Sequence, residues 1–397
     1  MTILTLTKVD VGMMEDVGTS ANNIIQLDSN AKIPAVDGSL LTNMITALSG
    51  SSDPTISTNP SGGVGTKFKN TTSGEMYICT DATAGENVWT NVGAGSGDVA
   101  PTSHAAGGSY GYMSGGAPSK NYISKYSFTV DGDSTDVGDL SVVRYSNPAG
   151  SSDTTHGYTA GGDHITLNID RFSFSAGGNA VDVGDLLSQT YNTGSSQSLT
   201  YSYTHGGSGG GGGDMIQKFL FAATANSTDV GNLTASITTS QGCSSSTHGY
   251  QCGGSAGLNI NKYSFTTDGD ASDVGDITAS NSGAAARRAT GSSSFSHGYY
   301  AAGSYNSNQI EKFAFATDGN GADVGDLLNY ITATSSTSSY THGYVHGGYG
   351  NLNGSAPHSY LDTIQKYSFA TDANATDVGN LTARSGGEYS EGAGQQY

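Results

Sequence analysis

Two groups of residues in this chain have types and spacings that could do chemistry. The first is aromatic and amide-bearing. Tyr122, His164, Tyr305, Asn306, Asn308, Tyr349, Asn351, Asn353, His358 and Tyr360 fall in variable stretches that follow Gly-Gly or Ala-Gly doublets. Tyrosine rings offer platforms for stacking and asparagine amides both give and take hydrogen bonds, a chemistry that suits adaptable recognition and the stacking of glycans. Solvated loops free to drift have the same composition. The second group is acidic: Asp131, Asp133, Asp136 and Asp139, then Asp268, Asp270, Asp273 and Asp276. Oxygen ligands at such close spacing are loosely those of a calcium loop. Equivalent stretches lack the full set: Ser175-Ala-Gly-Gly-Asn179 and Ala223-Thr-Ala-Asn226 lose the first acid, while Asn320 and Asn374 replace the second. Calcium is therefore confined to Asp131, Asp133 and Asp136 and to Asp268, Asp270 and Asp273, and turn chemistry explains every copy without an ion.

Stepping along the chain, the acids mark a repeat. Asp-Val-Gly recurs in the same context at Asp136, Asp182, Asp229, Asp273, Asp323 and Asp377, and a basic-aromatic-x-Phe step precedes it at Lys125, Arg171, Lys218, Lys262, Lys312 and Lys366. A near-constant period of this size signals a repeat architecture. Each copy holds material for about four short strands. Tyr-x-x-Gly-Gly supplies one, at Tyr112, Tyr158, Tyr250 and Tyr344, with a degenerate version at Tyr299 and another at Gly207, where the tyrosine reads as lost. Ile123 to Phe128 supplies the next, with Tyr126 and Phe128 on one face and Ile123 on the other. Val137 to Leu140 follows an Asp-Gly turn. A Ser/Thr-rich stretch such as Ser244 to His248 completes the set. His156, His205, His248, His297 and His342 read as one repeat position, and His-Gly there predicts a hairpin turn in which glycine supplies positive φ.

Four strands per copy closed by Gly-Gly are a propeller signature. Residues 101 to 397 resemble the kelch family and the central domain of galactose oxidase in these doublets and in the basic-aromatic strand that follows. The kelch tryptophan is absent and Asp-Val-Gly stands near its place, so the pattern is kelch-like. The resemblance does not bring a copper site, since no matching Tyr/Cys/His set is found. The ends of the region are complementary: the first copy lacks the segment that the last copy, from Leu381 to Tyr397, has in excess. Pairing them would complete six blades and remove free sheet edges. An open β-solenoid is the rival arrangement.

Composition bounds the function. The net charge is −19 with only 15 Lys and Arg, which disfavours binding to nucleic acid. No basic start followed by an apolar run marks a signal peptide, and no run of about 18 apolar residues could span a membrane. Cys79, Cys243 and Cys252 predict free buried thiols. No nucleophile elbow, paired-carboxylate motif, HExxH or phosphate loop stands out, and Gly209 to Gly213 reads as a loose connection.

Before the repeats, residues 1 to 50 hold too few apolar residues to close a core. Leu27-Asp-Ser-Asn-Ala-Lys-Ile-Pro-Ala-Val-Asp-Gly-Ser-Leu-Leu-Thr-Asn43 resembles the N-terminal segments of tail-fibre and other virion structural proteins of marine, cyanophage-like bacteriophages. A Gly/Ser/Pro linker from Ser49 to Gly63 leads into the module of residues 51 to 97, which has a hairpin around Thr72-Ser73-Gly74, a strand with the only tryptophan, Trp89, and a second linker from Gly93 to Gly97; it resembles small β modules of phage structural proteins.

The expectation is thus an all-β protein: an extended N-terminal arm (1–50), a small β module (51–97) and a six-bladed kelch-like β-propeller (98–397). The resemblance implies a virion protein made in the host cytoplasm, a tail fibre or similar appendage that is not an enzyme. It would be held to other virion proteins through the arm, trimerise as fibres do, and bind a host surface carbohydrate or receptor with its propeller. A passive capsid or tail decoration or spacer is the alternative, and a polysaccharide-degrading enzyme the less favoured one.

Overall fold

Among the described residues, alternating side chains and frequent Gly and Asp turns give short strands. In the computed structural model every regular element among the described residues is a β-strand, and none is a helix long and apolar enough to cross a membrane. The structure describes residues 47–92 and, apart from 117–119, 145, 163–165, 211–212, 222, 240, 279–287, 304–306, 353–356 and 383–392, residues 108–396. The chain divides into two compact units, Met1–Pro101 and Thr102–Tyr397. The arm expected over 1–50 lies almost wholly outside the described residues.

The first unit holds a four-stranded sheet. Leu48–Gly50 runs parallel to Lys67–Asn70, followed by antiparallel Met76–Asp81 and Val88–Asn91. Phe68, Tyr77, Cys79 and Trp89 form its core, with Phe68 edge-on to Trp89 at 5.8 Å. The Gly/Ser/Pro stretch that reads as a linker is folded onto this sheet. The buried Asn87 holds it, donating to Ile56 O (2.7 Å) and Asn59 Oδ1 (2.5 Å), while Asn70 donates to Asp53 Oδ1 (2.6 Å). Side-chain amides here replace the apolar contacts whose scarcity suggested a linker.

The second unit contains six four-stranded antiparallel sheets among the described residues. In the fourth sheet the order is Gln241–Ser244, His248–Cys252, Asn259–Ser264 and Ser272–Asp276. The second, third, fifth and sixth sheets repeat it over 149–185, 194–232, 290–326 and 335–380. The first differs in one respect: Tyr110–Ser114, Lys120–Ser127 and Thr135–Arg144 take their leading strand from Ala393–Gln396, with Gln395 opposite Tyr112. The end-to-start pairing expected from the sequence is present.

One set of contacts joins each sheet to the next. The tyrosine of every Tyr-x-x-Gly-Gly strand packs on a phenylalanine of the following sheet, with centroids 4.6 to 4.8 Å apart: Tyr112 on Phe174, Tyr158 on Phe221, Tyr203 on Phe265, Tyr250 on Phe315, Tyr299 on Phe369 and Tyr344 on Phe128. The last pair returns from the sixth sheet to the first. Offset aromatic pairs of this kind add about 0.5–1.5 kcal/mol beyond the apolar area they bury.

Asp-Val-Gly forms the outer counterpart. In every copy the aspartate Oδ1 accepts from the glycine N–H two residues on, at 3.1 to 3.2 Å. The next residue's N–H donates to the turn of the following sheet, at Asn179, Asn226, Asp270, Asn320, Asn374 and finally Asp133, over 2.9 to 3.1 Å. The glycine sits so close to that turn that a Cβ on Gly231 would overlap the Gly269 carbonyl, and one on Gly379 the Gly132 carbonyl. Between these two lines of contact, Asp170, Gln217, Asn261, Glu311 and Gln365 are buried and accept from backbone N–H groups of the preceding sheet at 2.6 to 3.4 Å. Burial pushes the Glu311 carboxyl above its usual pKa. Asp170 also meets the fully buried Arg144 at 3.0 Å.

The third copy differs from its sequence reading. Its tyrosine is not lost: Tyr203-Thr-His205-Gly206-Gly207 is the Tyr-x-x-Gly-Gly strand, with His205 opposite Ile216 as Ala160 is opposite Ile169. His205 therefore does not share the position of His156, His248, His297 and His342, which Tyr201 occupies. Its match is His346, opposite Ile364. Nor do the other four histidines sit in turns of positive φ. Each opens a strand, and a Cβ on the following glycine would run into the aromatic ring beside it, Phe172 against Gly157 and Tyr263 against Gly249. Close approach requires the glycine.

Candidate functional site

Antiparallel order places two kinds of connection at the same end of every sheet: the second-to-third strand loops and the links from a fourth strand to the next leading strand. At this end, beside the sixth sheet, the longest repeat copy builds an extra three-stranded sheet from both kinds. Asn329–Thr332, in the link from the fifth sheet, pairs with Tyr349–Leu352, which pairs with Ser359–Tyr360.

Strand alternation sorts its side chains. Tyr330 lies opposite Asn351, and Tyr349 opposite Tyr360. Partners across a ladder point the same way, as do residues two apart, so Tyr330, Tyr349, Asn351, His358 and Tyr360 share one face. Asn329 and Ile331 share the other, where both are buried. On the first face the four rings are partly exposed. Tyr349 is the hub, 4.8 Å from Tyr360 and 5.7 Å edge-on to His358. Asn351 sits among them at 6% exposure, and its Oδ1 is buried without a hydrogen-bond partner. An amide left unsatisfied under a half-exposed aromatic face costs about 1–3 kcal/mol, which a ligand supplying the missing bond would recover.

Of the ten residues that sequence composition nominates, Tyr349, Asn351, His358 and Tyr360 are brought together here. Tyr122 is on the first sheet, where the Lys120 ammonium lies 5.6 Å from its ring centre. Asn308 lies just before Gln309–Ala314 of the fifth sheet, its amide donating to Leu327 O at 3.1 Å, a local tie. His164, Tyr305, Asn306 and Asn353 lie outside the described residues. Tyr330 was missed because it precedes the Gly-Gly doublet. The signal for it was the unusual length of the last copy, whose Asp-Val-Gly triplet at Asp377 lies farther from its predecessor at Asp323 than any other pair.

The acids nominated for calcium have protein partners. Asp131 pairs with Lys366 (2.6 Å) and Asp268 with Lys218 (2.6 Å). Asp133 and Asp270 accept from the backbone N–H groups of Asn380 and Asn232, while Asp136 and Asp273 cap their own glycines. Lys262 to Asp318 at 2.9 Å and Lys312 to Asp372 extend the cross-sheet pairs. The second and third copies lose the first acid, and the basic residue of the copy before each turns elsewhere. Lys125 lies 3.7 Å from the Tyr110 ring centre, and Arg171 neighbours the Tyr158 hydroxyl. Among the described residues no three His, Cys, Asp or Glu gather in a metal-holding group.

The histidines stay local as well. His156, His248, His297 and His342 each bond through Nδ1 to the hydroxyl of the preceding residue, at 2.7 to 2.8 Å. His205 and His346 are fully buried, which depresses both to a pKa of about 3. His346 meets Ser335 Oγ and the Tyr126 hydroxyl at 2.9 Å, whereas both ring nitrogens of His205 lack a partner. Cys79, Cys243 and Cys252 are free and buried.

The six leading strands, finally, line an open cavity of about 70 Å³ with Ser, Thr, Gly and amide residues such as Asn147, Ser195, Gln241 and Ser336. None of the described residues that line it is charged. No protein-family model matches the chain, and no curated protein matches it in sequence.

Proposed function

We propose that this chain is an appendage protein of a bacteriophage particle, that its second unit is a six-bladed kelch-like β-propeller, and that the aromatic face beside the sixth sheet binds carbohydrate on the host cell surface. The propeller reading is supported by the repeated tyrosine–phenylalanine and Asp-Val-Gly contacts, which run sheet to sheet and return from the sixth to the first. A leading strand drawn from residues 393–396 gives each sheet the same four strands. The virion reading rests on the resemblance of residues 27–43.

One observation carries the binding reading: four partly exposed rings share a sheet face with a buried amide oxygen that lacks a partner. Ring faces take up the apolar side of a sugar, and amides take its hydroxyls. Binding is proposed: the strands of this face, Asn329–Thr332, Tyr349–Leu352 and Ser359–Tyr360, carry rings and amides and no carboxylate. Tyr349→Ala combined with Tyr360→Ala, presented to a glycan array and to host cells, is expected to lose at least tenfold in binding while keeping its thermal transition. Unchanged adsorption to cells would favour a passive decoration or spacer.

A further inference from the structure

We infer that Asn351 selects the ligand: it requires a pyranose that stacks one apolar face on Tyr349 and Tyr360 while pointing a hydroxyl down between the rings. This rests on the carbohydrate reading above and narrows it. The reasoning starts from the amide. Asn351 is nine-tenths buried, it faces the same side as Tyr330, Tyr349, His358 and Tyr360, and its Oδ1 has no hydrogen-bond partner. A buried polar atom with no partner is rare in folded proteins and needs an explanation, a ligand among them. Here the surroundings say which. The strands that make this face, Asn329–Thr332, Tyr349–Leu352 and Ser359–Tyr360, hold no lysine or arginine, so nothing in them calls for an anionic ligand. Oδ1 only accepts, so the missing partner is a donor, and a sugar hydroxyl is an uncharged one.

Geometry narrows it further. Tyr349 and Tyr360 are cross-strand partners whose rings lie 4.8 Å apart and tilted by 48°, and Asn351 lies two residues from Tyr349 on the same strand. A ligand lying on the rings must reach downward to meet the amide, which suits an axial or ring-edge hydroxyl of a pyranose better than a flexible chain. An analogue lacking that hydroxyl would still stack. It would leave the amide buried and unsatisfied, and sites built around such a group reject the deficient ligand strongly. The unmade bond corresponds to about 10- to 100-fold in affinity.

The test needs the intact chain and methyl pyranosides of glucose, galactose, mannose and N-acetylglucosamine, each with its monodeoxy analogues, followed by ligand-observed NMR and calorimetry. At least one parent sugar is expected to bind, and one of its deoxy analogues to bind about 10- to 100-fold more weakly. Asn351→Leu is expected to abolish that discrimination and to leave the thermal transition unchanged or higher, because it removes an unsatisfied buried group. A merely structural asparagine would instead lower the transition and leave the ratio of parent to deoxy affinity as it was. If Tyr349→Ala weakens binding but no deoxy position matters in the native chain, the selection by Asn351 is wrong and the carbohydrate reading survives. If no pyranoside binds, both fall.

Discussion

Replacing Gly231 by alanine would push a methyl group against the Gly269 carbonyl oxygen, backbone against backbone, at a residue whose φ is already +151°. Neither side can yield without moving a sheet, so the expected cost is about 2–4 kcal/mol, read from chemical denaturation. The ion pair nearby behaves oppositely. Lys218 and Asp268 are partly solvated, and Lys218→Met is expected to shift stability by less than about 1 kcal/mol. Added calcium is expected to raise the thermal transition by under about one degree, since each acid of the turn already holds a protein donor or cation and would have to give it up. At the buried histidines the proton decides. With the folded pKa of His205 near 3, the unfolded chain takes up a proton first as pH falls through about 6.5, so stability is full above that value and drains away down to pH 3. Between pH 7 and 4.5 the native chain is expected to lose about 2–3 kcal/mol more than His205→Gln, measured by urea unfolding at both pH values.

At the scale of the element, what could be read from the sequence depended on what each signal was made of. Strand faces follow from alternation, and Tyr126 with Phe128 on one side of their strand is found as expected, 5.7 Å apart. The pairing of residues 393–396 with the first sheet was legible from the unequal ends of the repeat. The third copy was misaligned because His205-Gly206 imitates the His-Gly that opens the other strands, whereas the true anchor is a tyrosine three residues before the Gly-Gly doublet. The stretch before Gly63 read as a linker because its folding depends on amides such as Asn87 and Asn70, and composition does not tell a bonded amide from a solvated one. The acids of Asp-Val-Gly carried a similar ambiguity, since close carboxylates serve a cation or a neighbouring backbone alike, and the neighbour belongs to a different copy. Four residues of the aromatic face were nominated from composition. Their convergence was hidden, because Tyr330 arrives on a link from the preceding sheet and only cross-strand register places it beside Asn351.

Over the whole second unit, the tyrosine–phenylalanine and Asp-Val-Gly contacts recur at each junction, and the buried acceptor at five of the six, Ser124 standing in its place at the junction from the sixth sheet to the first. The Lys–Asp pairs are missing from the two junctions that flank the second sheet, and at the first of these the buried Arg144–Asp170 pair, donating also to Gly161 O at 2.5 Å, takes up the connection. Stability therefore resides in repeated small contacts, and removing one complete strand should cost far more than any single ion pair. A chain ending at residue 390 is expected to lose on the order of 5 kcal/mol and to aggregate on heating, checked by calorimetry and light scattering, because Tyr110–Ser114 would become an open sheet edge. That edge has a history in time. A ribosome makes residue 112 long before residue 395, and joining them closes a loop whose entropy alone is about 5 kcal/mol for an unstructured chain. The first sheet must wait, with a vacant berth, while five others assemble. Nothing in that berth distinguishes the strand of its own chain from that of a neighbour, so crowded refolding should yield interlocked dimers that trade residues 393–396, and dilution should restore the single chain.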